Sequence, residues 1–275
     1  MHAADPLPCC VETTVAAFLR HSDRAQLPTI RGLYLVGSVA LDDYRSGASD
    51  IDFVAVLDQE PTPGECKMLA GAHTALMEAG GPRFDGVYLT VEALRRAPAD
   101  YAVVPFSLDG RFRTGETCRE VNPAVWRCLA RHGRAVLGPP PSELGIADDG
   151  EVLRAYQVGN LRTYWSTWIE QAEAALAVKP PGEGASAIAL AWGVLGVARI
   201  ACALETDRVV SKSGGGRYAL VAHPIRWHPV ICGALTAHRS DLERVPVKTF
   251  RDGLAYMREA IAAATEHAIV WDDRT

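Results

Sequence analysis

The sequence lacks the marks of several protein classes. Its seven cysteines form no CxxC pair and show no cysteine–histidine spacing typical of zinc fingers. A disulfide framework is therefore not expected, and free thiols fit a reducing compartment. Basic residues are in deficit as well, because 28 Lys and Arg against 33 Asp and Glu leave a net charge of −5. That balance argues against a general nucleic-acid binder, which needs a basic surface.

Signals for secretion and for membrane insertion are also missing. Residues 1–10 carry no basic segment followed by an apolar one, so no signal peptide is predicted. The longest apolar stretch without a charge lies between Glu183 and Arg199, and it is shorter than the roughly 20 residues that span a bilayer. We interpret this stretch as a buried core helix and expect a cytoplasmic protein without a membrane partner.

The composition is that of a folded globular protein. Of the 275 residues, 48% are hydrophobic and 22% are charged, which suits one large domain or two modest ones. In the first part of the chain, short apolar runs alternate with segments of helical periodicity. Strands are predicted over 32–36, 50–57 and 84–90, an edge strand or loop over 102–108, and helices over 11–21, 38–44, 65–79 and 123–132.

The second part of the chain differs from the first. The segment GPPPSELGIADDG, residues 138–150, is rich in proline and glycine and is the best candidate for a linker. Helical periodicity then dominates over 151–178, 185–205, 227–243 and 247–270. We therefore predict an α+β protein with two domains, 1–145 with a sheet and 146–275 built of helices.

The most informative stretch is LYLVGSVALDDYRSGASDIDFVAVL, residues 33–57. A predicted strand ends at Gly37 and Ser38, and a helix is predicted to follow. Glycine lets the backbone approach a ligand closely, and free N–H groups beside a hydroxyl suit an anion such as a phosphate. The bend at Gly37-Ser38 is therefore a candidate phosphate site.

Two acidic residues follow on the next predicted strand. Asp50 and Asp52 are two positions apart, so on a strand they point to the same side, while Ile51 and Phe53 point into the core. Two carboxylates this close repel each other unless a cation holds them. Mg²⁺ is the natural cation for hard oxygen ligands next to a phosphate.

A third carboxylate lies on the following predicted strand, at Asp85. If that strand lies beside the strand of Asp50 and Asp52, three acidic groups converge. Carboxylates, a divalent metal and a turn that holds phosphate are the parts needed for in-line displacement at phosphorus.

These residues carry a resemblance to a known family. A Gly-Ser pair, eleven intervening residues and Asp-Ile-Asp in a hydrophobic frame resemble the nucleotidyltransferase superfamily related to DNA polymerase β. With Ser49 and the helical second half, the chain is similar to the aminoglycoside adenylyltransferases. The resemblance implies a nucleotidyltransferase fold, a mixed sheet with flanking helices, followed by a helical bundle. It also implies Mg²⁺-dependent transfer of AMP from ATP to a hydroxyl of a small acceptor, first an aminoglycoside such as streptomycin or spectinomycin, with release of pyrophosphate.

Further site residues follow from the same resemblance. Residues 199–219 resemble the family segment that carries a lysine near the nucleotide phosphates, which corresponds to Lys212, with Arg208 as a second basic contact. Residues 131–139 also resemble the family. Ser49 is expected to contact the nucleotide, Asp50 and Asp52 to hold the metal, and Asp85 to act as the general base.

The chain departs from the family pattern in two places. The expected base is usually Glu, and Asp85 is one methylene shorter. The segment that usually carries acids to meet a cationic drug is here Gly214-Gly215-Gly216-Arg217, and an arginine repels a polycation.

Several alternatives stay open from the sequence. The transferase half of a toxin–antitoxin pair would adenylylate a protein partner, and an enzyme-like domain would bind nucleotide without turnover. Four aromatic residues in one predicted helix are either packing residues or a stacking wall for the acceptor, which is expected between the two domains: Tyr156, Tyr164, Trp165 and Trp168.

Overall fold

The structure is a computed structural model that describes residues 6–25, 30–98, 102–180 and 182–272. The chain forms two compact units, Met1–Asp149 and Gly150–Thr275. The boundary predicted at residue 145 falls inside the first unit, close to its end.

The first unit is a six-stranded mixed sheet with helices beside it. Its elements are α1 Cys9–Ala25, β1 Ile30–Leu35, α2 Gly37–Ala40, β2 Ile51–Leu57, α3 Pro63–Glu78, β3 Phe84–Thr90, α4 Val91–Leu94, β4 Phe106–Leu108, β5 Arg111–Arg113, α5 Pro123–His132 and β6 Arg134–Leu137. The strand order is β5-β4-β3-β2-β1-β6. Among the strand pairs of the described residues, only the central pair, β2 and β3, is parallel. The predicted mixed sheet with flanking helices is confirmed.

Local sequence explains where α3 begins. Thr62 is the N-cap residue, its hydroxyl accepts the N–H of Glu65, and the Glu65 carboxylate accepts the N–H of Thr62 in return. Pro63 occupies the first helical turn, where its missing N–H costs nothing. The helix packs on an aromatic cluster in which Phe53 stacks on Phe84 with ring centroids 4.2 Å apart.

The proline-rich segment predicted as a linker is packed on the first unit. The hydroxyl of Tyr34 donates to the carbonyl of Pro139 at 2.9 Å, and Leu144 is buried. Asp148 forms an ion pair with Arg127, whose side chain is 1% exposed. These contacts tie residues 139–148 to β1 and α5. Removing Asp148 would take this carboxylate away from a buried guanidinium, which is strongly destabilising.

The second unit is helical, as predicted. Its elements are α6 Gly150–Asn160, a single π-helical turn Leu161–Trp165, α7 Ser166–Ala177, β7 Ala185–Ser186, α8 Ala187–Thr206, α9 Lys212–Ala222, a 3₁₀ turn Ile225–Trp227, α10 His228–Arg239, β8 Arg244–Val245 and α11 Val247–Asp272. The short strands β7 and β8 pair antiparallel. A core of buried apolar side chains is centred on α8.

Helix α8 is long and apolar enough to cross a membrane, judged by length and composition alone. It has 20 residues, and its most apolar window has a mean hydropathy of 2.0. However, 78% of that window is buried inside the protein, which a core helix of a helical unit explains. We therefore keep the interpretation of the 183–199 stretch as a core helix.

Helix α9 was not predicted, because three consecutive glycines disfavour a helix. The structure shows why they are there. A Cβ on Gly215 would lie 2.7 Å from the backbone nitrogen of Arg199 in α8, and one on Gly216 would lie 2.5 Å from the side chain of Leu235 in α10. The glycine run allows close helix packing, and tertiary contact outweighs the weak helix propensity.

Candidate active site

The bend after β1 is shaped around Asp52. Gly37 has a φ of +57°, a left-handed conformation that favours glycine. A Cβ at this position would overlap the carboxylate oxygen Oδ2 of Asp52. The N–H of Val36 donates to the carbonyl of Asp52 at 2.9 Å, which ties the bend to β2. The structure therefore places the Gly37-Ser38 bend directly against the Asp52 side chain.

Ser38 presents a buried hydroxyl at this bend. Its Oγ is buried and has no hydrogen-bond partner among the described residues. A buried polar group without a partner is costly, so it points to a ligand that satisfies it. The helix predicted over 38–44 is only Gly37–Ala40, because Asp42 adopts a φ of +53° and ends it.

Asp50 and Asp52 lie at the start of β2. Ile51 and Phe53 are buried at 0% and 1% exposure in the core, whereas both aspartates are partly exposed. Asp50 also lies 3.6 Å from the guanidinium of Arg83. The guanidinium of Arg83 therefore offsets part of the negative charge of Asp50. This agrees with the need of two neighbouring carboxylates for a positive charge.

Ser49 closes the loop that leads to Asp50. Its Oγ accepts the N–H of Arg45 at 3.1 Å, and its own N–H donates to the carbonyl of Arg45 at 2.8 Å. The serine hydroxyl keeps its proton available for donation.

Asp85 lies on β3 opposite Asp52 in the parallel register. Its side chain is 5% exposed. Burial raises the pKa of the Asp85 carboxyl, with a smaller contribution from the charge of Asp50, while donated hydrogen bonds oppose that rise. The Oδ1 atom accepts the hydroxyl of Ser107 at 3.1 Å and the N–H of Gly110 at 2.8 Å. The Oδ2 atom accepts the N–H of Asp109 at 2.9 Å.

Sequence reasoning missed these three donors, although a signal for them was present. Asp109 and Gly110 have φ values of +55° and +71°, and they form the two-residue turn between β4 and β5. An Asp-Gly pair between two short apolar runs is a strong hairpin signal. Strand β5 was therefore predictable, whereas the contact of its turn with Asp85 was not.

The donor chemistry of this site fits Mg²⁺. The carboxylate of Asp52 lies against Gly37, next in the chain to the unsatisfied hydroxyl of Ser38, and Asp50 and Asp52 are both partly exposed. Hard oxygen ligands suit this ion. Within the described ranges, no three acidic, histidine or cysteine side chains gather as a metal site. The predicted metal ligands are thus the pair Asp50 and Asp52, and Asp85 is held by the β4–β5 turn instead.

The basic residues predicted near the phosphates lie in the second unit. Lys212 is the first residue of α9, after the capping residue Ser211, and its ammonium lies 4.9 Å from the ring centre of Trp192. Arg208 lies in the segment between α8 and α9. Contacts of Lys212 and Arg208 with a nucleotide stay predictions.

The aromatic residues of the second unit serve two roles. Trp165 is 3% exposed in the core, and Trp168 packs against that core. Tyr164 is 40% exposed, and its hydroxyl accepts the indole N–H of Trp192 at 3.3 Å. Packing therefore accounts for Trp165 and Trp168, whereas Tyr164 and its partner Trp192, which is 39% exposed, offer rings to solvent.

Comparisons with known proteins match both units. A family model for the nucleotidyltransferase domain matches residues 21–92, and one for the C-terminal domain of aminoglycoside adenylyltransferase matches residues 185–265. No curated protein matches the chain significantly.

Among solved structures, the fold is similar to that of spectinomycin adenyltransferase AAD(9) from Enterococcus faecialis, crystallised with ATP and spectinomycin. The TM-score is 0.67 at 11% identity, over 91% of this chain and 99% of the other. At that identity the likeness shows the fold. The two family models add the enzyme type, because a nucleotidyltransferase domain in the first unit and a match to the C-terminal domain of aminoglycoside adenylyltransferase in the second together support an aminoglycoside nucleotidyltransferase.

Proposed function

We propose that this enzyme transfers AMP from ATP to a hydroxyl of a small acceptor and releases pyrophosphate. The observation that carries the proposal is the contact between the Gly37-Ser38 bend and the Asp52 carboxylate, with an unsatisfied serine hydroxyl beside it. This arrangement supplies a place for a phosphate chain next to carboxylates that favour a divalent cation.

The triphosphate is proposed to lie on the bend. The hydroxyl of Ser38 gains the acceptor that it lacks among the described residues, and Gly37 lets the phosphate approach the backbone. Ser49 offers its hydroxyl proton from the neighbouring loop. Lys212 and Arg208 are added as phosphate contacts on the resemblance of residues 199–219 alone.

Asp50 and Asp52 are proposed to hold Mg²⁺. When bound, this ion neutralises negative charge on the triphosphate and on the departing pyrophosphate. Arg83, 3.6 Å from Asp50, offsets part of the negative charge of the site.

Asp85 is proposed as the general base. The acceptor oxygen forms a bond to the α-phosphorus, the bond from that phosphorus to the pyrophosphate oxygen breaks, and the hydroxyl proton goes to Asp85. Burial raises the pKa of this carboxyl, which makes it a better proton acceptor than an ordinary aspartate.

The proposed acceptor is an aminoglycoside, with spectinomycin and streptomycin as the first candidates. The second unit matches the C-terminal domain of aminoglycoside adenylyltransferases, and the similar AAD(9) was crystallised with ATP and spectinomycin. The same match does not favour the alternative of a toxin–antitoxin transferase. We place the enzyme in the cytoplasm, where ATP is supplied, with neither nucleic acid nor a membrane as partner.

The test is pyrophosphate release and product mass with ATP and Mg²⁺ against aminoglycosides, lincosamides and nucleosides. We expect an AMP adduct of spectinomycin or streptomycin. Asp50→Asn and Asp52→Asn should each lower turnover on the order of a thousandfold while the fold persists. Asp58→Asn is the matched control, because Asp58 directly follows β2 and pairs with Arg31. Wild-type turnover in both metal-site variants would refute the proposed site.

A further inference from the structure

We propose that the hairpin of β4 and β5 is the positioning element for Asp85, and that Ser107 is its positioning side chain. The inference rests on the proposed function, in which Asp85 takes the proton of the acceptor. It assigns a role to residues that make no contact with substrate.

Three hydrogen bonds hold the carboxylate of Asp85 in one orientation. An ionised carboxylate offers about four acceptor positions, two on each oxygen. Both positions on Oδ1 are used, by the Ser107 hydroxyl and the Gly110 N–H, and one on Oδ2 is used by the Asp109 N–H. One position on Oδ2 remains for the incoming proton. Rotation of the side chain would break three hydrogen bonds at once.

The turn is built to present its N–H groups. Asp109 and Gly110 are both left-handed, so two successive N–H groups converge on one carboxylate, as in backbone anion sites. A Cβ on Gly110 would overlap the sulfur of Met77. The carboxylate of Asp109 accepts the guanidinium of Arg83 at 2.9 Å. The turn therefore lies against Met77 on one side and pairs with Arg83 on the other.

Ser107 reaches Asp85 from inside the sheet. It is 0% exposed, and β4 pairs it in register with Gly86, the neighbour of Asp85. The hydrogen bond from the Ser107 hydroxyl to Asp85 is therefore a buried contact fixed by strand pairing, not a bond on the protein surface.

The geometry also makes the length of Asp85 specific. A glutamate is one methylene longer and would push its carboxylate into the turn that now donates to it. Asp85→Glu should keep a base in the site and yet lower kcat by about tenfold or more.

The first test distinguishes a role of Ser107 in positioning Asp85 from a role in binding the nucleotide. Ser107→Ala should lower kcat about tenfold, since a hydrogen bond to a charged group is lost, while the KM for ATP and the calorimetric affinity for Mg²⁺ with ATP stay unchanged. Ser107→Thr, which keeps a hydroxyl, should restore kcat. Ser240→Ala is the control, because that hydroxyl donates to Thr236 in the other unit. Unchanged kcat in Ser107→Ala, or equal losses of kcat and nucleotide affinity, would overturn the proposal.

The second test needs no turnover, so it separates this inference from the proposed function. Amide hydrogen exchange of Asp109 and Gly110 should be at least about tenfold faster in Asp85→Ala than in the wild type. The amide of Val36, bonded to the carbonyl of Asp52, should exchange at the same rate in both. Equal protection of Asp109 and Gly110 in both proteins would show that the turn does not hold Asp85, whatever the enzyme catalyses.

Discussion

In the first unit Gly37 makes room for a carboxylate, whereas in the second unit Gly215 makes room for a neighbouring helix. A side chain at residue 37 would overlap Asp52, and one at residue 215 would approach the backbone of Arg199 at 2.7 Å. Space constrains both glycines. What differs is the chemistry of the neighbour, and only a charged neighbour beside an unsatisfied hydroxyl indicates a site.

A related contrast concerns buried carboxylate and imidazole groups. The first unit buries Asp85 and His73, and each makes specific hydrogen bonds. The second unit is organised around the apolar helix α8. Substitutions at these first-unit residues should therefore alter activity or the pH dependence of stability, and those in the core of the second unit should alter stability through packing.

Among substitutions that test this comparison of glycines, the largest effect is expected at Gly37. Gly37→Ala should reduce transferase activity about a hundredfold, because the new methyl group displaces Asp52. The left-handed backbone adds a stability loss of about 1–2 kcal/mol. Steady-state kinetics and thermal unfolding measure the two effects. Gly71→Ala in α3 is the control, since nothing lies within 4 Å of its Cβ position. Full activity in Gly37→Ala would show that Gly37 is not needed to make room for the Asp52 carboxylate.

The second effect concerns pH and the first unit. Burial lowers the pKa of His73 from 6.5 to about 4. The unfolded chain therefore binds a proton more readily, and the stability that neutral His73 contributes at pH 7 is lost as pH falls from about 6.5 towards 4. The loss approaches about 3 kcal/mol.

Unfolding free energy against pH measures this loss. His73→Gln is the matched variant, because an amide can bond the Tyr88 hydroxyl, now 2.7 Å from the imidazole, without titrating. The variant should show a smaller decrease over that range than the wild type. Identical pH dependence of the two proteins would exclude His73 as the cause.

A third effect tests the packing role of the glycines in the second unit. Gly215→Ala should destabilise that unit by about 1–3 kcal/mol through overpacking against α8. Chemical denaturation followed by tryptophan fluorescence reports it. If Gly215→Ala instead left stability intact and abolished nucleotide binding, the glycine run would belong to the site.

The smallest effect has the opposite sign. Gly159 in α6 has nothing within 4 Å of its Cβ position, so Gly159→Ala should stabilise the protein by about 0.5–1 kcal/mol through helix propensity alone. Denaturant titration measures the gain. A loss of stability in Gly159→Ala would mean that the effect of replacing glycines in the second unit is not set by the space around the Cβ position.

The sequence predicted the elements whose pattern is local. Strand β3 was predicted over 84–90 and observed over Phe84–Thr90, because alternation and flanking breakers lie within the segment itself. Helix α9 and the packed proline-rich segment were missed, since both depend on distant contacts, such as that of Tyr34 with Pro139. Spacing placed Gly37, Asp50 and Asp52 in one motif. The hydrogen bonds that surround Asp85 depend on the pairing of β4 with β3. Strand β4 has three residues, and so short a strand carries too little sequence pattern for that pairing to be predicted.

The most direct measurement for the central claim is calorimetric binding of ATP with and without Mg²⁺. The account predicts Mg²⁺-dependent binding in the wild type and in Asp58→Asn, and a loss of affinity of at least about thirtyfold in Asp52→Asn. Binding of ATP by Asp52→Asn with wild-type affinity and wild-type dependence on Mg²⁺ would contradict it.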